Sequence, residues 1–262
     1  LFQETGLRRS QGIDAALVRL GRDGIEQLLN QELTFMGQVY AARVDLSEDV
    51  VTGRESHLLR EALQDLRTDA IGRMFMLLRF ISSPSAIQAA QVSLQGSSSS
   101  RARGLEILDN ALDIPSKRAI LTVLDGRSHI EKIKSLESWV PYTPMGPSDR
   151  LRTLLDLRHF LSDWALACCF HVARQQRWSV TADHILACLK HPTGFVREAV
   201  VAYLQVASPS VLGQLIPVLL FDPNPIVVAQ AQQIQAELAQ ARNGRNGAGQ
   251  PSMPPSLKPR PA

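Results

Sequence analysis

The chain has 262 residues, 45% hydrophobic but only 5% aromatic, which is enough apolar material for a real core and favours helices packed through Leu and Ala over a β-sandwich. Lys and Arg number 28 against 25 Asp and Glu; Arg242, Arg245, Lys258 and Arg260 carry the excess, and without them 24 basic residues face 25 acidic ones. A nearly neutral body argues against nucleic-acid binding by the folded part, Cys168, Cys169 and Cys188 form no disulfide framework, and no apolar run is long enough to span a bilayer.

Residues 1–23 read ambiguously, with room for one short helix. Residues 24–82 predict a long antiparallel helix pair. Leu28, Leu29, Leu33, Met36 and Tyr40 recur at helical spacing in its first arm. Leu58, Leu59, Ala62, Leu66, Ile71, Phe75, Leu78 and Ile81 do so in the second. Glu61, Asp65 and Asp69, with Arg60, Arg67 and Arg73 nearby, read as a solvated helix face laced by i,i+4 ion pairs.

Residues 83–140 predict shorter helices that repeat as hairpins. A Ser cap and a proline in the first turn open SPSAIQAAQVSL. The run GSSSSRARG lacks the Gly-Lys-Ser/Thr ending of a phosphate loop and reads as spacer and cap. RGLEILDNAL and SKRAILTVLD then form two short helices around the elbow Asp113-Ile114-Pro115, with Asp113 placed to cap. Helices this short must bury an apolar side against a neighbour. Residues 141–149 are a proline-rich interruption. Residues 150–242 resume the pattern with one long helix or two joined, followed by shorter units. REAVVAYLQVASPSVLGQLIPVLLFD, residues 197–222, echoes residues 103–125: an Arg opens the first helix, a proline elbow follows, and an apolar-apolar-Asp triplet ends the second. Such an echo is the mark of stacked helical hairpins, an α-solenoid. Residues 243–262, rich in Gly and Pro, are expected to be a disordered tail.

Candidate chemistry is sparse. His184, Cys188 and His191, or Cys168, Cys169 and His171, offer zinc-type ligands, but at no compact metal spacing, and the cysteines read as small core residues. No nucleophile elbow or dinucleotide-binding loop is present, and no His is followed by the Glu that a di-iron site on hairpins would need. No catalytic, cofactor-binding or metal-ligating residue is therefore assigned, and the chain is not expected to be an enzyme. A possible-contact surface remains. Arg101, Arg103, Lys117, Arg118 and Arg127 cluster where a phosphate or an acidic partner surface would meet them, although Glu106, Asp109, Asp113 and Asp125 nearby also suit an ordinary exposed repeat face. Trp139 and Tyr142 are either an interface anchor or, preferably, a plug in the joint between two repeat stacks.

The hairpins resemble HEAT repeats. More particularly, RARGLEILDNALDIPSKRAILTVLD is similar to a segment of the HEAT domains that follow a nucleotide-translocase-like transporter of the major facilitator type in bacterial membrane proteins. Glu106-Ile107-Leu108-Asp109-Asn110, Lys117-Arg118 and Leu124-Asp125 carry the likeness, and RMFMLLRFISSPSAIQAAQVSL resembles the stretch before it. The likeness covers about residues 50–240 and is most specific between 70 and 125. It implies an all-α fold of HEAT-like repeats over 83–140 and 150–242, with no cofactor. It also implies a cytoplasmic domain at the cytosolic face of a membrane, a protein partner, and a covalently linked transmembrane domain absent from this chain. The start at Leu1 is read as that of a processed or excised product. A regulatory or interaction module is expected, with a concave groove lined by second helices such as 116–125 and 209–220. The alternatives are a lyase-like or chaperone-like HEAT protein that binds a chromophore or small substrate, and self-assembly into dimers.

Overall fold

The computed structural model describes the backbone of residues 2–247 and the side chains of residues 16–240 except Val18, and every regular element among them is an α-helix. Helix α1 (Phe2–Asp45) is kinked at Gly21, whose φ of 66° is a conformation that glycine adopts without a Cβ clash. The helical run thus begins upstream of Gly24, with a kink in place of a terminus. Helix α2 (Arg54–Ile81) ends at Ser82, just before Pro84, which cannot continue it with a backbone donor.

The two long helices pack along each other. They bury Leu29, Leu33, Met36 and Tyr40 from α1, and Leu59, Leu63, Met74 and Leu78 from α2. Each such side chain contributes about 1.5–3 kcal/mol on removal from water. The arginines of α2 do not pair along their own helix. Arg60 Nη1 donates to the Val51 carbonyl at 3.0 Å, Arg67 Nε donates to the Tyr40 hydroxyl at 3.4 Å, and Arg73 makes a two-point contact with Glu32 at 2.6 and 3.0 Å. The expected i,i+4 lacing with Glu61, Asp65 and Asp69 is replaced by ties to α1 and the loop after it. Those acids stay exposed, with only His57 at 4.0 Å from Glu61. A long guanidinium beside a neighbouring helix gains more from fixed acceptors there than from a mobile surface carboxylate.

Helix α3 (Pro84–Leu94) begins with its proline in the first turn, and α4 (Ser98–Ala111) is capped by Ser97, whose Oγ accepts from the Ser100 amide at 3.4 Å. The serine run is thus the first turn of α4. A Cβ at Gly104 would stand 3.0 Å from the Ala90 carbonyl oxygen, so the absent side chain is what lets α4 lie so close to α3. Helix α5 (Lys117–Leu124) starts after Ser116; Asp113 does not cap it, and instead gives its carbonyl to the Arg22 guanidinium. Helix α6 (His129–Ser135) opens on a capping box between Ser128 and Glu131 and stops short of Trp139.

Helix α7 (Pro147–Asp156) starts inside the proline-rich segment, and α8 (Asp163–Gln176) follows a short turn, so the long apolar stretch is two helices. Helices α9 (Ala182–Leu189), α10 (Gly194–Ala207), α11 (Pro209–Leu219) and α12 (Pro225–Gly247) complete the chain. Helix α12 continues past Asn243, where the apolar period fades; the rest of the expected tail, 248–262, lies outside the described residues. The α1–α2 pair is central: α1 also meets α5, α6 and α7, and α2 meets α3 and α8. Beyond it α8 meets α10, and α10 meets α9, α11 and α12. Two groups of short helices therefore lean on one long hairpin. The result is an all-α, multi-helix fold.

Candidate functional site

The basic residues singled out in the sequence do not share one environment. Lys117 Nζ sits 3.0 Å from Asp109 Oδ1 and also donates to the Asp109 carbonyl, while Arg127 Nε lies 2.7 Å from Asp125 Oδ2. Both are neutralised locally. Arg118 is exposed and borders a shallow groove between α4 and α5 that also contains Glu106, Asp109 and Asp125, so its field is cancelled. Arg103 is exposed, with no side-chain bond among the described residues. Arg101 is exposed too, but it opens onto a different cleft, beside Arg67.

Trp139 and Tyr142 are half-buried against the core. The Tyr142 hydroxyl donates to Asp45 Oδ1 at 2.7 Å, and Asp45 Oδ2 accepts from Arg150 Nε at 2.8 Å. Arg150 and Asp45 side chains are 4% and 6% exposed. Desolvation, and then the hydrogen bond to the Asp45 carboxylate, push the Tyr142 phenol up to about 12. The group joins the end of α1 to α7 through the proline-rich segment.

A denser cationic constellation surrounds Tyr40. Lys132 is 3% exposed; its Nζ donates to the carbonyls of Val123 and Asp125 at 2.9 Å each and lies 5.4 Å from the Tyr40 ring centroid. Arg67 reaches the Tyr40 hydroxyl, and Arg43 Nη1 donates to the Arg60 carbonyl at 3.1 Å while its buried Nε has no partner. The His129 ring lies 5.5 Å from that of Tyr40. Burial, together with Arg67, brings Lys132 down to about 8 despite the favourable carboxylate of Asp125. Burial lowers Arg43 as well, with Arg67 adding to it, and raises the Tyr40 phenol. None of Arg43, Arg67, Arg101 and Lys132 has a carboxylate within 4.0 Å among the described residues.

Sequence reading missed this group because its members come from α1, α2, α4 and α6. One local signal was there to find. Arg43, Arg67, Arg101 and Lys132 each lack an acid three or four residues away in either direction, so no helical neighbour can neutralise them.

Burial, and the charges of Arg43, Arg67 and Lys132, bring His129 down to about 4 from 6.5. The fold holds this imidazole neutral. A native pKa below the unfolded one means that the associated stability is fully present above pH 6.5 and is lost as pH falls through about 4. His129→Gln should therefore flatten the acid limb of the stability curve across that window, measured by urea unfolding at stepped pH. Equal slopes in variant and parent would remove His129 from the acid response.

The cysteines are all buried, and desolvation raises Cys168 to about 12 and Cys188 to about 11. Such thiols are poor nucleophiles near neutral pH. The histidines beside them turn to other partners: His184 Nε2 lies 2.8 Å from Asp156 Oδ1, and His191 Nδ1 accepts from the Thr193 amide at 3.2 Å. Among the described residues no three of His, Cys, Asp and Glu converge on a metal position, and no helix is long and apolar enough to cross a membrane.

A third surface is apolar. Helix α11 buries Leu212, Ile216 and Leu219, while Val211 and Val218 lie on its other side. Val218 is 72% exposed, Phe221 in the following turn 87%, and Ile226 at the start of α12 58%. Comparison with protein-family models, curated proteins and solved structures finds no match to the chain.

Proposed function

We propose that the chain is a non-catalytic helical-repeat module of HEAT type that holds a protein partner, and that it serves as the cytosolic domain of a transporter-like membrane protein. The observation that carries the interaction reading is the run of exposed large apolar side chains, Val211, Val218, Phe221 and Ile226, along α11 and the turn into α12. Large apolar side chains exposed close together mark surfaces that a partner covers, and Val218, Phe221 and Ile226 fall within nine residues. The hairpin-like reading is supported by Arg197, which opens α10 and bonds Asp222 after α11. The link to a transporter rests on the likeness of residues 70–125 alone.

A photo-reactive residue at exposed Gln214 tests the reading in the full chain. It should give one discrete protein adduct in cell extract, and Val218→Glu with Phe221→Glu should abolish it. No adduct, or one indifferent to the double change, would overturn the interaction role.

A further inference from the structure

The cleft beside Arg101 is lined by cations and neutral polar groups. It lies between α2, α3 and α4, has a volume of about 330 Å³, and is the size of a small-ligand site. Its polar lining is Arg67, Thr68, Gln91, Gln95 and Arg101, without one carboxylate. The Gln91 Oε1 is occupied by Arg79 Nη2 at 2.7 Å, which leaves the Gln91 amide N–H groups as its free polar function. The Thr68 hydroxyl already donates to the Gln64 carbonyl at 3.0 Å, so two guanidiniums and the amide groups of Gln91 and Gln95 are the donors that share this opening. Ile71 and Phe75 give the cleft an apolar wall.

Behind Arg67 stand Arg43 and Lys132, neither with a carboxylate within 4.0 Å among the described residues. Burial disfavours the charge of Lys132 most, Arg67 adds to it, and the smaller effect of Arg101 in the same direction is outweighed by Asp125. The acids that might have balanced them are engaged: Asp109 with Lys117, and Asp125 with Arg127. Cations from four separate helices are held together with no ion pair among the described residues, Asp125 and Glu61 acting on Lys132 and Arg43 only from beyond 4.0 Å, and an anion in the cleft would relieve the remaining repulsion.

We propose that this cleft binds a phosphate-bearing anion with a small apolar substituent, held by Arg67 and Arg101. A phosphate monoester carries about −1.5 to −2 charges at pH 7 and three acceptor oxygens, which matches two guanidiniums and several neutral donors better than a single carboxylate does. The apolar wall takes the substituent. The phosphate belongs either to a soluble ester or to a lipid headgroup, since both present the same oxygens. The site is independent of the apolar run along α11 and stands or falls without it.

Calorimetric titration of the full chain with phenyl phosphate, pyrophosphate and benzoate tests the assignment, alongside flotation with vesicles that contain a phosphorylated inositol lipid. Phenyl phosphate should bind saturably at one site and more tightly than benzoate. Arg101→Gln should weaken it by about tenfold or more, the loss of a charged hydrogen bond. The Arg101 side chain has no hydrogen bond or ion pair among the described residues, so this variant should unfold at the parent temperature. Thr68→Glu, at an exposed position, places a carboxylate in the cleft and should abolish binding. Titration without flotation supports a soluble ester; titration with flotation that Arg101→Gln abolishes supports the headgroup. No saturable phosphate binding, equal binding of benzoate, or phosphate binding unchanged in both variants overturns the proposal.

Discussion

Replacing Asp45 by alanine should cost the fold about 3–5 kcal/mol, because it strands a buried arginine. Arg150 Nη2 lies 2.7 Å from Asp45 Oδ2 and also donates to the Thr143 carbonyl at 3.3 Å, while its guanidinium is 5.9 Å from the Tyr142 ring centroid. Without the carboxylate the cation keeps one carbonyl and no charge partner. The Tyr142 hydroxyl loses its acceptor as well. Tyr142→Phe alone should cost less, about 0.5–1.5 kcal/mol, since it removes one hydrogen bond and leaves the ion pair. The double change Asp45→Leu with Arg150→Met removes both charges and should recover most of the loss. Urea unfolding followed by circular dichroism measures all three. A cost below about 1 kcal/mol for Asp45→Ala would mean that water reaches the pair and that the joint between α1 and α7 is not held by it.

Arg197→Met should be comparably damaging, again by about 3–5 kcal/mol, but its effect should be regional. Arg197 meets Asp222 through two bonds of 2.8 and 2.6 Å, with both side chains 8% exposed, and its Nη1 also donates to the carbonyls of His191 and Pro192 at 2.5 and 2.9 Å. Asp222 in turn accepts from the Asn224 amide at 2.8 Å. One guanidinium thus fixes the start of α10, the turn before it and the turn into α12. The hydrogen bond from Arg197 holds the Asp222 carboxyl below the usual carboxylate range and raises Arg197 itself. Hydrogen exchange should show protection lost first in α11 and α12, with α1 and α2 little changed. Uniform loss across the chain would show instead that the fold opens as one unit. Arg103→Met, at the position that echoes Arg197, should change stability by no more than about 0.5 kcal/mol, because Arg103 is exposed.

That contrast marks the limit of the echo between residues 103–125 and 197–222. Both segments do fold as a helix, an elbow and a second helix. Arg197 and Asp222 clamp their hairpin, yet at the aligned places Arg103 points to solvent and Asp125 pairs with Arg127 while its carbonyl takes Lys132. The buried cation that holds the first hairpin to its neighbour is Lys132, a residue outside the echoed stretch. Tyr142 shows the same limit at the joint: its place in a proline-rich segment suggests a plug, and nothing near it in the chain points to Asp45 or Arg150.

By itself the sequence determined what depends on near neighbours. Helices follow from a 3.6-residue apolar period, and their ends from caps such as Ser97 and Ser128 and from prolines such as Pro84, Pro147 and Pro209, all acting within one turn. The leucines of α1 and α2 are likewise legible, because burial is a property of a helix face. Only the tertiary structure decided which charges meet. Arg67, with no acid one turn away on its own helix, reaches Tyr40 on α1, Arg150 finds Asp45 far along the chain, and Arg67 and Arg101 come to one cleft from separate helices. An arginine side chain reaches far enough to choose among acceptors on several neighbouring helices, and its choice is set by which fixed, desolvated partner lies within hydrogen-bond distance. That distance exists only after the helices have packed, so the cationic cleft is a property of the fold and has no counterpart in any single stretch of the chain.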